Sequence, residues 1–237
     1  MTDFLKTASR GEEQWISVSD MMAGLMMIFL FISIIYMRDV KRERDRIDKY
    51  FTNVDDVSDE ICDDLKQEFK DDAENWDISI CESGLLISFD SDSSFELNSA
   101  ELSEAFRFTL EDFFPRLMTV VYEYKDDISE LRIEGHTDSS VRRSDTELSG
   151  YLYNTKLSQE RSRNVMDFSL NLERLKQEYL DWSYTHVTAH GMSSSNKVFT
   201  RTGAEDHAAS RRVEFRLRTT AEEDLLNLVP EIVELRD

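Results

Sequence analysis

A single apolar run, from Ile16 to Met37, limits what this chain can fold into more than any other feature. It reads ISVSDMMAGLMMIFLFISIIYM and is 22 residues long. At about 1.5 Å of rise per residue, such a helix crosses a hydrocarbon core of roughly 30 Å. Asp20 and the interfacial Tyr36 are its only ionisable side chains. An aspartate at membrane depth costs about 2.5–3.5 kcal/mol on insertion scales, so its default reading is functional, a proton or cation relay. The competing reading is local. Asp20 lies one turn inside the run, where with Ser17 and Ser19 it can cap a helix N-terminus at headgroup level. Trp15 and Tyr36 stand at the two ends, as an aromatic belt requires. Ala23 and Gly24 leave room for a neighbouring helix to approach closely.

The run is not a signal peptide. A signal h-region is shorter and ends in small residues before a cleavage site, whereas this one continues into IIYMRDVKRERDR. It is read as an uncleaved anchor. Six basic residues follow it closely (Arg38, Lys41, Arg42, Arg44, Arg46, Lys49), against Lys6 and Arg10 before it. By the positive-inside rule the C-terminal side would face the cytoplasm.

With 28 basic and 49 acidic residues among 237, the formal charge is −21. That balance argues against nucleic acid, which needs clustered Lys and Arg. The length fits one membrane helix plus one soluble domain. Cys62 and Cys81 both follow the span, and a disulfide between them is possible if that side is oxidising; unpaired thiols are the alternative. No metal-ligand spacing is present, and His136, His186, His190 and His207 are read as structural.

Five segments follow from the patterning. Residues 1–14 form a polar tail and 15–37 the membrane helix. Residues 38–75 form a charged helix with a stripe at Val40, Ile47, Tyr50, Phe51, Val54, Val57, Ile61, Leu65 and Phe69. Residues 76–218 form the main domain and 219–237 an acidic terminal helix. Within the domain, WDISICESGLLISF reads as a hairpin turning at Glu82–Gly84. Ser99–Tyr124 reads as a helix capped by Ser99. Leu131–His136 is a strand, Asn154–Leu175 a helix with Leu157 inward, and Tyr184–Gly191 and Arg212–Leu217 are strands. The expected class is α+β, in the order βαβαββ, with helices on one face of a mixed sheet.

Three motifs carry the chemistry. Gly135-His136-Thr137-Asp138 delivers a carboxylate at a strand end. Asn154-x-x-Leu157-Ser158-x-x-Arg161 is expected to gather Asn154, Ser158 and Arg161 at a helix start. Ser210-Arg211-Arg212-Val213-Glu214 leads into the last strand. These motifs in this order, with FDSDSSFELNSAEL before them, resemble the OmpA-like peptidoglycan-binding domain over roughly Asp77–Arg218. The resemblance implies that Asp138 and Arg161 grip the diaminopimelate of a wall stem peptide, with Thr137, Asn154, Ser158, Arg211 and Arg212 around them. Diaminopimelate offers an ammonium to the carboxylate and a carboxylate to the guanidinium. The chain departs from that pattern in a long 138–154 loop carrying Arg142 and Arg143, in Ser210 where asparagine is usual, and in HGMSSSNKV, which lacks a proline.

A membrane aspartate followed by such a domain resembles the B subunits of MotB-type stators. The wording around Asp20 is closer to the stator-like B subunits of Zorya anti-phage systems, the ZorB family. That resemblance implies an ion-motive-force-driven motor subunit in the inner membrane, with the N-terminus cytoplasmic and the domain periplasmic, against the charge rule. Asp20 would be the ion carrier for H⁺ or Na⁺. The implied partners are a multispanning subunit of the ZorA or MotA kind, a second copy of the chain inside that ring, and peptidoglycan. No cofactor, metal or direct nucleic-acid contact is implied. A flagellar stator subunit and a passive wall tether are the alternatives. An enzyme is disfavoured, because His136-Thr137-Asp138 has no nucleophile with a base and an orienting group.

Overall fold

The computed structural model describes residues 4–96, 99–140 and 146–223, and the side chains of 19–45 and of residues from 56 onward within them. It divides into two compact units, 1–52 and 53–237. The first helix, α1 (Phe4–Phe69), contributes to both.

In the first unit, Ser19–Asp45 is the one described stretch long and apolar enough to cross a membrane. Beyond Asp20, its uncharged part ends at Met37. Met21, Leu25, Phe29, Ile32 and their neighbours bury nothing and stand exposed. A helix apolar all round with no protein cover fits a lipid or helix-partner environment. Trp15 and the stripe residues Ile47–Val54 have side chains outside the described set.

The second unit begins with the last turns of α1. Ile61, Leu65 and Phe69 are fully buried, so the distal end of the expected stripe belongs to the domain core. The order continues α2 (Ala73–Trp76), β1 (Ile78–Ile80), β2 (Leu86–Asp90), α3 (Ser91–Ser94), α4 (Glu104–Glu123), β3 (Ile128–His136), α5 (Glu147–Leu170), α6 (Gln177–His186), β4 (Val187–Ser193), α7 (His207–Ser210) and β5 (Arg212–Thr219). The sheet order is β1-β2-β5-β3-β4. Only β3 and β4 run parallel; the other pairs are antiparallel. The expected mixed sheet is present, and the β1–β2 hairpin turns at Gly84, whose φ of 109° glycine tolerates without strain.

Period-two alternation divides the sheet into two faces. Ile87, Phe89, Leu131, Ile133, Val213, Phe215 and Leu217 join the core with the helices. Phe113 of α4 sits at the centre, with ring centroids 5.0 Å from Phe69, 4.9 Å from Phe89 and 5.1 Å from Phe215. Arg116 ties α4 to the end of α1 and to Asp72. It donates to Glu68 (2.7 Å) and Asp72 (2.9 Å) and lies 4.9 Å over the Phe69 ring. A disulfide joins Cys62 of α1 to Cys81 of the hairpin turn, which decides between the bridge and the free thiols.

Four expectations are corrected. α4 starts at Glu104, five residues after Ser99, because Ser103 takes the cap by accepting from the Phe106 N–H. Ser99 instead accepts from the Glu101 N–H. α5 starts at Glu147, where Thr146 caps it, so Asn154 lies two turns inside the helix rather than at its start. Leu157 is only half-buried; the buried face of α5 is Gly150, Asn154, Ser158, Arg161, Ser162, Val165 and Ser169. The stretch ending at Leu175 and the strand expected from Tyr184 miss α6 between them. Tyr179 and Trp182 of α6 point into the core, a three-residue spacing too short to separate from a strand. After β5 the chain is helical at 220–223, and the rest of the expected terminal helix lies outside the described residues.

Candidate functional site

The site is set by how closely α5 lies on the sheet. A Cβ on Gly135 of β3 would stand 2.4 Å from the Ser158 carbonyl oxygen, and one on Gly191 of β4 2.4 Å from the Gln159 amide nitrogen. Only glycine permits this approach. Small and polar residues therefore line the inner face of α5. Ser158 is fully buried; its Oγ accepts from the Ser193 N–H (3.0 Å) and donates to the Thr155 carbonyl (2.9 Å). Thr137 is buried too, and its N–H donates to the Ser193 carbonyl at 2.9 Å. Ser158 fixes the end of β4, and Thr137 ties the end of β3 to it, so neither faces solvent.

Asp138 leaves that strand end with 8 % of its surface exposed. Its Oδ1 accepts from the Ser140 N–H at 2.9 Å, and its Oδ2 from Arg211 Nη1 at 2.6 Å. Asn154 Nδ2 donates to the carbonyls of Asp138 (3.2 Å) and Ser140 (3.3 Å), pinning the loop to α5. Burial works against ionisation of Asp138. The hydrogen bonds from Arg211 and Ser140 outweigh it and hold the carboxyl below the usual range.

The sequence assigns Asp138 and Arg161 to one ligand rather than to each other, and in the structure the arginine bonded to Asp138 is Arg211. Arg161 donates through Nε to the Ser99 carbonyl (3.0 Å) and through Nη1 to Ser91 Oγ (2.6 Å), and it lies 4.6 Å over the Phe95 ring. Burial pushes its guanidinium below the ordinary arginine range, partly offset by Asp92. Arg161 and Asp138 still belong to one charge cluster, because Arg211 and Asp92 lie between them electrostatically. Arg212 faces elsewhere. Its Nε donates to Glu214 Oε1 (2.6 Å) and its Nη1 to the Asn196 carbonyl (3.1 Å).

Sequence reasoning missed Asp92, which forks with Arg211: Nε to Oδ1 at 2.8 Å and Nη2 to Oδ2 at 2.5 Å. Its signal was the acid two residues beyond the strand in FDSDSS, a position that only the crossing of α3 and β5 brings to Arg211. His207 and Glu205 were also missed. His207 Nδ1 is 3.6 Å from Asp138 Oδ2, and Glu205 accepts from the Ser139 N–H at 2.9 Å. A cleft of about 590 Å³ opens beside the loop, lined by Ser139, Leu148, Tyr151 and Asn154 among others. Arg142 and Arg143 lie outside the described residues. Chemically, the cluster offers two carboxylates, Asp138 and Asp92, and two guanidinium groups within one loop-lined corner, suited to a ligand carrying both ammonium and carboxylate.

On the opposite face of the sheet, Glu134, His136 and Glu214 bring three donor atoms within 4.8 Å of one another. A cation site is disfavoured by the arginines already there. Arg212 and Arg216 donate to Glu214 at 2.6 Å each, and Arg132 and Arg216 approach Glu134 at 3.6 and 3.5 Å. Three guanidinium charges against two carboxylates leave no deficit for a metal to fill. Burial opposes ionisation of Glu214, but His136 and the arginines hold its carboxyl far below the usual range. Glu134 is depressed likewise, chiefly by His136 and Arg216 against burial.

No protein-family model matches the chain. It is 36% identical over 228 residues to the Zorya protein ZorB of Escherichia coli strain ATCC 8739, covering 96% of this chain and 97% of that protein. Among solved structures, a MotB-like protein from Desulfovibrio vulgaris superposes with a TM-score of 0.51 at 20% identity, over 70% of this chain and 94% of that one. The cell wall anchor of the type VI secretion system from Pseudomonas aeruginosa is 24% identical with a TM-score of 0.42, over 63% and 93% respectively.

Proposed function

The chain belongs to the ZorB family of Zorya proteins, and from that premise we propose that it is the wall-anchored, ion-carrying B subunit of a stator-like motor in anti-phage defence. One observation carries the reading: the same chain holds a lone aspartate in an exposed apolar helix and a carboxylate–guanidinium corner in a MotB-like domain. The work is anchoring and ion transfer rather than bond chemistry.

In this reading Asp20 takes up an ion from one side and releases it to the other. A multispanning ring subunit of the ZorA kind surrounds a dimer of these helices, and the ring turns as each Asp20 cycles. The ion is H⁺ or Na⁺. Asp138 takes the ammonium of a diaminopimelate stem peptide in exchange for Arg211, and Arg161 supplies charge for its carboxylate. With the domain held on the wall, the helices cannot rotate with the ring.

The Cys62–Cys81 disulfide supports a periplasmic domain, since such bridges persist in oxidising compartments. It weighs against the positive-inside count, which concerns only the charges flanking the span. In this reading the protein is a single-pass protein of the bacterial inner membrane with its N-terminus cytoplasmic.

The test is phage plating on cells carrying the whole neighbouring operon, with wild type compared with Asp20→Asn and Asp138→Ala at matched protein levels. Loss of protection in both, with the membrane complex still assembled, is the expected result. Full protection with Asp20→Asn removes the ion-carrier role and leaves a passive tether. Rescue of swimming in a non-motile stator mutant would instead assign the chain to flagellar drive.

A further inference from the structure

Resting on the stem-peptide reading above, we propose that Asp92 is a positioning residue that holds Arg211 so that Asp138 can be handed from arginine to ligand. Without a ligand, both Asp138 oxygens have donors: the Ser140 N–H on Oδ1 and Arg211 Nη1 on Oδ2. The Asp138 side chain is only 11% exposed, so an incoming ammonium that docks on Oδ2 competes with Arg211 for that oxygen. A guanidinium stripped of its only carboxylate resists that exchange, because a charge-assisted bond is lost with nothing in return. Asp92 changes the exchange. It holds Arg211 through Nε and Nη2, leaving only Nη1 on Asp138. When Nη1 lets go, Arg211 keeps a bidentate partner and its charge stays compensated.

The fold fixes both ends of this fork. The Asp92 N–H donates to Asp90 Oδ1 at the cap of α3, and the Ser91 N–H donates to the Arg211 carbonyl at 3.0 Å. Side-chain exposure grades the two carboxylates, 59% for Asp92 against 11% for Asp138, so the yielding arginine moves toward water rather than deeper. Arg161 cannot stand in for Arg211, since its Nε and Nη1 are committed to Ser99 and Ser91. Among the described groups facing Asp138, His207 is the other titratable one, at 3.6 Å.

The experiment is calorimetric titration of meso-diaminopimelate into the full chain in detergent at pH 8. Asp92→Asn is expected to weaken binding about fivefold, the scale of one partly exposed ion pair. Arg211→Gln is expected to bind at least as tightly as wild type, and adding Asp92→Asn to it should change nothing further. Unchanged affinity for Asp92→Asn overturns the proposal. So does an equal loss in the Arg211→Gln background, which would make Asp92 a ligand contact itself. A weakened Arg211→Gln protein overturns it too, since Arg211 would then hold the ligand. Asp138→Asn tests the underlying reading separately: full affinity in that variant sinks stem-peptide binding at this corner, whatever Asp92 does.

Discussion

Burial makes individual carboxylates in this domain costly unless they are compensated, and the fold compensates them with arginine. Glu214 is 3% exposed yet accepts from Arg212 and Arg216 and lies 3.6 Å from His136. Its folded-state pKa is well below the value in the unfolded chain, and that of Glu134 is lowered too. For a depressed carboxylate the stabilisation is fully present above the unfolded pKa, about 4.3 for glutamate, and is lost as pH falls toward the folded value. The melting temperature of the full chain is therefore expected to be level from pH 7 to about 5 and to drop steeply below about 4. Glu214→Gln should lower stability at pH 7 by about 3 kcal/mol, because it leaves guanidinium charge uncompensated beside a buried site, and should flatten the acid limb. Thermal unfolding across pH checks both; an acid limb as steep in the variant as in the wild type would contradict them.

Among the elements, the pairing of α5 with β3 and β4 matters most, because it decides where Asp138 and Asn154 stand. Gly135 has no room for a Cβ against the Ser158 backbone oxygen, which cannot rotate away. Gly135→Ala is expected to cost about 1–3 kcal/mol as the helix is pushed off the sheet. It should also weaken diaminopimelate binding, since the Asn154 bonds to the Asp138 loop depend on that approach. Denaturant unfolding and a binding titration on the same sample test the link. Lost stability with unchanged affinity would show that the loop holds its shape without α5.

For the molecule as a whole, the decisive matter is which side of the membrane the second unit faces. The charge flanking the span and the Cys62–Cys81 bridge point in opposite directions. Alkaline phosphatase, which becomes active only where its own disulfides form, fused after Glu223 is expected to be active. The same fusion placed before Trp15 is expected to be inactive. The reverse pattern would put the domain in the cytoplasm and end the wall-anchoring reading.

Patterning alone determined the apolar helix of membrane-spanning length with Asp20 inside it, the mixed α+β domain, and the loop and strand ends that carry Asp138 and Arg211. These follow from local rules: unbroken apolar length, period-two alternation, and short motifs at fixed spacing. Tertiary structure decided the partners. Arg161 is absorbed by Ser91, Ser99 and Phe95, and Arg211 reaches Asp138 because β5 lies between β2 and β3. Asp92 meets Arg211 across 119 positions of sequence. Nothing local encodes such a contact, since which charges meet depends on strand order and on how closely a helix can approach two glycines. The last turns of α1 joined the core for a related reason: Ile61, Leu65 and Phe69 form a stripe in the sequence, and only Phe113 and the hairpin disulfide supply the surface it buries against.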